Sequence, residues 1–208
     1  MSIVADASQP LIETIAPPAP AESLWRLSLE QFHEMVRRGI ISEDDPVEFL
    51  EGLLVAKMTI SPAHRRATHR VQSALRSALP RSHYVGSPSP VTLATSESEP
   101  DVVVVRGTDD DYRDRHPGPA DVAMVVEVSD STLRRDQGFK KAIYAKAGIA
   151  VYWIVNLIDR RVEVYSEPSG AGEAADYRLR QDAAEADHVP LVIDGREVSK
   201  IAARDLLP

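Results

Sequence analysis

The segment from Asp121 to Asn156 constrains the fold more than any other part of the chain. "DVAMVVEVSD" (121–130) is an almost unbroken apolar run of strand length. "DQGFKKAIYAKAG" (136–148) is helical in pattern and closes on Gly148, and "VYWIVN" (151–156) is a second β-branched and aromatic run. Strand 122–128, helix 136–147 and strand 151–155 make a βαβ crossover, so the two strands are expected to be parallel neighbours. Parallel strands are covered on both faces, which accounts for their apolar composition. Glu127 is then an anomaly. Burying an ionised carboxylate costs several kcal/mol unless a cation or hydrogen-bond donors compensate.

The rest of the chain fits around this unit. Residues 1–22, with Pro10, Pro17, Pro18 and Pro20 among Ala and Ser, are expected to be a flexible tail, and 23–208 one folded domain. "SLEQFHEMVRRG" predicts a helix with Ser28 as N-cap, Leu29, Phe32, Met35 and Val36 on its apolar side, and Gly39 at its end. "VEFLEGLLVAKM" predicts a strand pair turning at Glu51-Gly52. A helix is expected over roughly 63–79, with Ala67, Val71, Leu75 and Ala78 on one side and arginines on the others. "PVTLA" and the run after Asp101 are further strands, and "RRVEVY" is the hairpin partner of "VYWIVN". Region 166–188 is expected to be loops, followed by a strand at "VPLVID" and a short helix after Ser199. The order predicts an α/β fold, a mixed central sheet flanked by helices.

Composition narrows the chemistry. The 208 residues include no cysteine, which excludes disulfides, zinc–thiolate sites and thiol catalysis. No apolar run approaches the roughly 18–20 residues of a membrane span. The first residues hold Asp6 and no basic stretch, unlike a secretory signal, so no membrane association and a cytoplasmic location are expected. The net charge of −8 hides an asymmetry, because Gly52–Ser96 contains no Asp or Glu and six Lys or Arg. This segment is +6 and the remainder −14. Such a patch is either a solvated helix face or a footprint for a polyanion.

Asp101, Glu127 and Lys140 are the residue types that metal-dependent phosphodiester hydrolysis requires. A hard cation such as Mg²⁺ takes oxygen ligands and retains waters, so two carboxylates and a strand carbonyl suffice. A neighbouring lysine can orient the attacking water and offset developing charge. At about 100° per residue, Phe139 and Ile143 face the sheet, Lys140 flanks that face and Lys141 points to solvent, which selects Lys140.

"EPDVVVV", "MVVEVSDST", "DQGFKKAIYAKAG" and "VYWIVN", in this order, resemble the PD-(D/E)xK restriction-endonuclease-like superfamily. More narrowly they are similar to its Uma-two family, and the likeness runs from "LSLEQF" through "RVEVY", including "VEFLEGLLVAKMTISPAHRRA". The resemblance implies a restriction-endonuclease-like fold and a nuclease dependent on Mg²⁺ or Mn²⁺, with DNA as the expected substrate. It assigns Asp101 and Glu127 as the motif acids and the backbone carbonyl of Val128 as a further ligand. Glu48 and His64 stand where members tend to have these residue types. Where the superfamily pattern places lysine, this chain has Ser129; in the family that lysine commonly moves to the following helix, as Lys140 does here. Phe139 replaces an often acidic residue. His64, Arg65, Arg66 and Arg70 are the expected nucleic-acid contacts, and a homodimer would suit cleavage of both strands.

Structural explanations compete at each position. Asp101 could cap a turn, and Glu127 could form a buried ion pair with Lys140 or an arginine. Lys140 could pair with Asp136 across one helical turn, Glu48 and Glu51 could be solvated, and His64 could be a helix-start residue. Tyr144, Tyr152 and Trp153 are most simply core. A catalytically silent binding or assembly module with the same fold is therefore the alternative function, and a phosphatase-like metal hydrolase a third.

Overall fold

The computed structural model describes residues 24–208 except Glu43. The expected tail at 1–22 lies outside the described residues. α1 (Leu29–Arg37) starts where the sequence places it: Ser28 Oγ accepts the Gln31 N–H at 3.1 Å while the Gln31 side chain accepts the Ser28 N–H at 2.8 Å. This reciprocal pair satisfies two N–H groups that the first turn leaves free. Phe32 stacks on Phe49 at 4.5 Å, but Val36 is exposed rather than packed.

β1 (Val47–Leu50) and β2 (Leu53–Ala56) form the expected hairpin. Glu51 and Gly52 both have positive φ, 48° and 79°, which is the two-residue turn that matches strand twist. A side chain at Gly52 would meet Arg26 Cβ at 2.8 Å and the Leu27 carbonyl at 2.9 Å, so glycine is required there. α2 (Pro62–Ala78) follows, capped by Ser61, with Ala67, Val71 and Leu75 buried. Next come β3 (His83–Gly86), β4 (Val91–Thr92), β5 (Glu97–Ser98) and β6 (Val102–Arg106). β1, β2, β4 and β5 make a small antiparallel sheet in the order β2-β1-β5-β4.

The main sheet is centred on β7 (Val122–Ser129), whose eight residues are all buried. β7 is parallel to β8 (Val151–Asn156) and antiparallel to β6; β9 (Arg161–Ser169) and β10 (Asp176–Ala184) continue beyond β8. The strand order is β10-β9-β8-β7-β6-β3, a mixed sheet with one parallel pair, as the crossover requires. β11 (His188–Ile193) and β12 (Arg196–Ala202) form a separate ribbon leading to α5 (Ala203–Leu206). The region expected to be loops thus contains the end of β9 and all of β10.

Between β7 and β8 the helix is interrupted. α3 (Leu133–Arg135) runs into a π-helical turn over Asp136–Lys140, which continues as α4 (Lys141–Lys146). The Lys141 N–H donates to the Asp136 carbonyl, five residues back. This extra residue per turn shifts the phase, so Phe139 is 38% exposed and Lys140 is buried to 3%. The expectation that Phe139 faces the sheet is therefore corrected, while Lys140 points inward more fully than regular helical geometry would allow.

Alternation along the strands divides the core. Val102, Val104, Met124, Val126 and Trp153 pack with α2 and α5, whereas Val103, Val105, Val125, Tyr152 and Ile154 pack with α4. Glu127 shares the α4 face. Among the described residues no helix is long and apolar enough to cross a membrane. Trp153 is fully buried and its indole N–H has no hydrogen-bond partner among the described residues. Trp153→Phe removes that unsatisfied donor and is expected to cost less than about 1.5 kcal/mol. Trp153→Ala leaves a cavity and is expected to cost about 3–5 kcal/mol, both read by urea denaturation.

Candidate active site

The carboxylates gather where β1, β6, β7, the start of α2 and the π turn meet. Glu127 is presented by β7 toward the helix and is 3% exposed. Its Oε1 accepts hydrogen bonds from Lys140 Nζ at 2.9 Å and from the Tyr144 hydroxyl at 2.8 Å. Lys140 Nζ lies 2.8 Å from Glu48 Oε1 on β1, which also accepts the Glu99 N–H at 2.9 Å. The compensation for the buried acid is thus a shared ammonium and a phenol. The ion-pair explanation for Glu127 describes a contact that is made, while Lys140 bonds these two glutamates rather than Asp136.

One cation between two buried carboxylates does not neutralise both. Burial, with the charges of Asp101, Asp136 and Glu48, raises the Glu127 pKa well above the usual carboxylate range against the opposing pull of Lys140. Burial opposes charge on Lys140 too, but Glu127, Glu48 and Asp136 hold it protonated and raise its pKa. Asp136 is itself buried, and accepts hydrogen bonds from Ser129 at 2.7 Å and Thr132 at 2.5 Å. That carboxylate ties the end of β7 to the π turn.

Asp101 precedes β6 and reaches across to β7, where its Oδ2 accepts the Val128 N–H at 2.8 Å. His64, in the first turn of α2, is buried with Nε2 3.1 Å from the same oxygen. Burial alone would lower the His64 pKa; the hydrogen bond and charge of Asp101, followed by Asp130 and Asp136, raise it above the ordinary value. His64 therefore belongs to the acid cluster rather than to an exposed basic surface.

Glu48, His64, Asp101, Glu127 and Lys140 line one cavity of about 230 Å³, together with Lys57, Glu99, Asp130 and Arg135. Its five carboxylates outnumber its three cations, Lys57, Arg135 and Lys140. Among the described residues, Glu127 Oε2 and Asp101 Oδ1 accept no hydrogen bond, so each acid keeps an oxygen uncommitted. No group of three or more His, Asp or Glu among the described residues stands ready to enclose a metal. The donor set fits Mg²⁺ or Mn²⁺ held by few protein oxygens and several waters, and does not resemble a closed cage.

Sequence reasoning located Glu48, Asp101, Glu127 and Lys140, and all four line this cavity. It missed Lys57, Glu99, Asp130 and Arg135; the only signal for them was nearness in sequence to the motif residues. On α2, Arg65 and Arg66 are exposed. Arg70 instead donates through Nη1 to the carbonyls of Arg204, at 3.2 Å, and Leu207, which fastens the C-terminal helix.

Lys140→Met strands two buried carboxylates and is expected to destabilise the fold by about 3–5 kcal/mol. Glu127→Gln keeps an acceptor for Tyr144 and leaves Lys140 with Glu48, and is expected to stay within about 1 kcal/mol of wild type or gain stability. Urea denaturation at neutral pH checks both; equal losses would contradict this division of charge.

A family model described as "Putative restriction endonuclease" (Uma2) matches residues 29–198. No curated protein matches the chain. The crystal structure of "a putative nuclease belonging to DUF820 from Anabaena variabilis" superposes with a TM-score of 0.64 at 15% sequence identity, covering 86% of this chain and 97% of that one. At that identity the likeness is one of fold. The family match spans most of the chain, from α1 to β12, and takes in every residue that lines the acid cavity. The chain belongs to the Uma2 family of restriction-endonuclease-like proteins.

Proposed function

We propose that the protein is a Mg²⁺- or Mn²⁺-dependent nuclease that hydrolyses phosphodiester bonds in DNA. The observation that carries this reading is the pair of uncommitted oxygens, Asp101 Oδ1 and Glu127 Oε2, in one cavity with surplus negative charge. These two carboxylates and the Val128 carbonyl are the proposed ligands. A divalent cation bound there would polarise the phosphoryl oxygen and lower the pKa of the attacking water. The family's description as restriction endonucleases supports DNA as the substrate.

The chain's own residues have distinct tasks in this reading. Lys140 bridges Glu48 and Glu127 and presents an ammonium that can orient a water beside Glu127. Glu48 fixes Lys140. His64 and the Val128 N–H orient Asp101 by taking up its Oδ2, which leaves Oδ1 for the ligand. Arg65 and Arg66, exposed on the first turns of α2, are proposed to contact backbone phosphates on either side of the cut. A catalytically silent module is the second reading, favoured by one observation: Lys140 already provides Glu127 with a partner.

Plasmid nicking beside calorimetric titration of Mn²⁺ separates the two. Asp101→Asn and Glu127→Gln are each expected to abolish Mn²⁺ binding and lower nicking by about 1,000-fold, with EDTA doing the same to wild type. A wild type that binds no Mn²⁺ and does not nick leaves the silent module. Arg65→Glu with Arg66→Glu is expected to reduce the salt slope of DNA binding by about 2, and an unchanged slope removes that surface from the interface.

A further inference from the structure

We infer that Arg135 is a catalytic residue of this site, its guanidinium gripping a non-bridging oxygen of the scissile phosphate. The assignment rests on the nuclease reading for its reaction and on the following geometry for its place. In a regular α-helix, residues 135 and 140 would point about 140° apart. The π turn, closed by the Lys141 N–H on the Asp136 carbonyl, brings positions five apart onto one side of the helix. Arg135 and Lys140 consequently line the same cavity. π turns of this kind occur frequently at functional sites.

The charges divide the cavity's cations by availability. Lys140 is held between Glu48 and Glu127 at 2.8 and 2.9 Å, and Lys57 is 2.8 Å from Glu99. Among the described residues the nearest carboxylate oxygen to Arg135, Asp136 Oδ1, is 3.8 Å from Nε, beyond hydrogen-bonding distance, and Nε is buried with no partner there. Nη1 makes one long hydrogen bond, 3.3 Å to the Ala56 carbonyl at the end of β2. Nη2 makes none among the described residues. A guanidinium carries five donors in a planar fork suited to phosphate oxygens, and this one stands half-buried in an acidic cavity with most of its donors unused. A phosphate oxygen answers those unused donors.

In the reaction, the attacking water gives up a proton to bulk solvent as its oxygen bonds to phosphorus. The ester P–O bond breaks with its electron pair to the leaving sugar oxygen, which takes up a proton from solvent. Charge builds on the non-bridging oxygens as this happens, and a fixed guanidinium there stabilises the transition state more than the ground state. Lysine at this position would supply charge without the fork.

The experiment uses the full chain as wild type, Arg135→Ala and Arg135→Lys, with plasmid nicking in Mn²⁺ and isothermal titration of inorganic phosphate in Mg²⁺. In Arg135→Ala, kcat is expected to fall about 100- to 1,000-fold with KM changed less than about threefold. Free guanidinium ion below denaturing concentration is expected to restore at least about tenfold, and Arg135→Lys to recover less than the rescued alanine variant. Phosphate binding is expected to weaken at least about fivefold in Arg135→Ala. Activity within about threefold of wild type, or a loss that follows the unfolded fraction and resists guanidinium, makes Arg135 a strut for Ala56 and overturns the inference. Phosphate binding that ignores Arg135 also overturns it. If phosphate binding depends on Arg135 while the wild type never nicks, the anion site stands and the nuclease reading falls.

Discussion

One ammonium group joins the parts of the site. Lys140 Nζ is 2.8 Å from Glu48 on β1 and 2.9 Å from Glu127 on β7, and it comes from the π turn that links β7 to β8. The small sheet, the main sheet and the crossover helix therefore meet at a single buried cation. The fold can afford two buried carboxylates because Lys140, Tyr144, Ser98 and the Glu99 N–H surround them. Buried ion pairs of this kind add little net stability compared with apolar packing, since desolvation offsets their attraction. Glu127 stands between Val126 and Val128 in a fully buried strand, where an apolar side chain would carry no such desolvation cost.

The main sheet gives that chemistry a rigid base. β7 is covered on both faces, and alternation places Met124, Val126 and Val128 against α2 while Val125 and Glu127 face the helix. Asp101 is held by the backbone of Val128, so the two acids are tied through adjacent residues of one strand. Further along the α4 face, Tyr144, Tyr152, Tyr165 and Tyr177 form a run of ring contacts between 5.1 and 6.1 Å. Each hydroxyl has a partner: Glu127, the Asp136 carbonyl, Glu163 and the Ile149 carbonyl respectively. Polar groups within this apolar layer are thus satisfied by neighbours that also fix the site's supports.

Much of this arrangement was legible in the sequence, for reasons that differ by element. The valine-rich runs of β6, β7 and β8 announced buried strands, and the Glu51-Gly52 pair announced its turn. β10, "DYRLRQDAA", is an edge strand with mostly exposed side chains, so it lacks the alternation that marks a half-buried strand. β5 is two residues long and β3 is half-buried throughout, too little pattern to recognise. Glu127 was conspicuous because charge inside an apolar run is costly. Lys140 was selected with a helical phase that the π turn does not obey, and Phe139 was misplaced by the same assumption. Arg135 was invisible for that reason too, since only an extra residue in the turn aligns it with Lys140. Lys57, Glu99 and Asp130 look like ordinary surface charges until the chain folds.

The claim on which the rest depends is that Asp101 and Glu127 hold one divalent cation. The direct measurement is anomalous diffraction from crystals of the protein grown with Mn²⁺, collected at the manganese edge. The account expects one anomalous peak in the acid cavity within about 2.0–2.6 Å of an oxygen from each carboxylate, as hard cations require. A cavity with no peak, Glu127 bonded only to Lys140 and Tyr144, would contradict it.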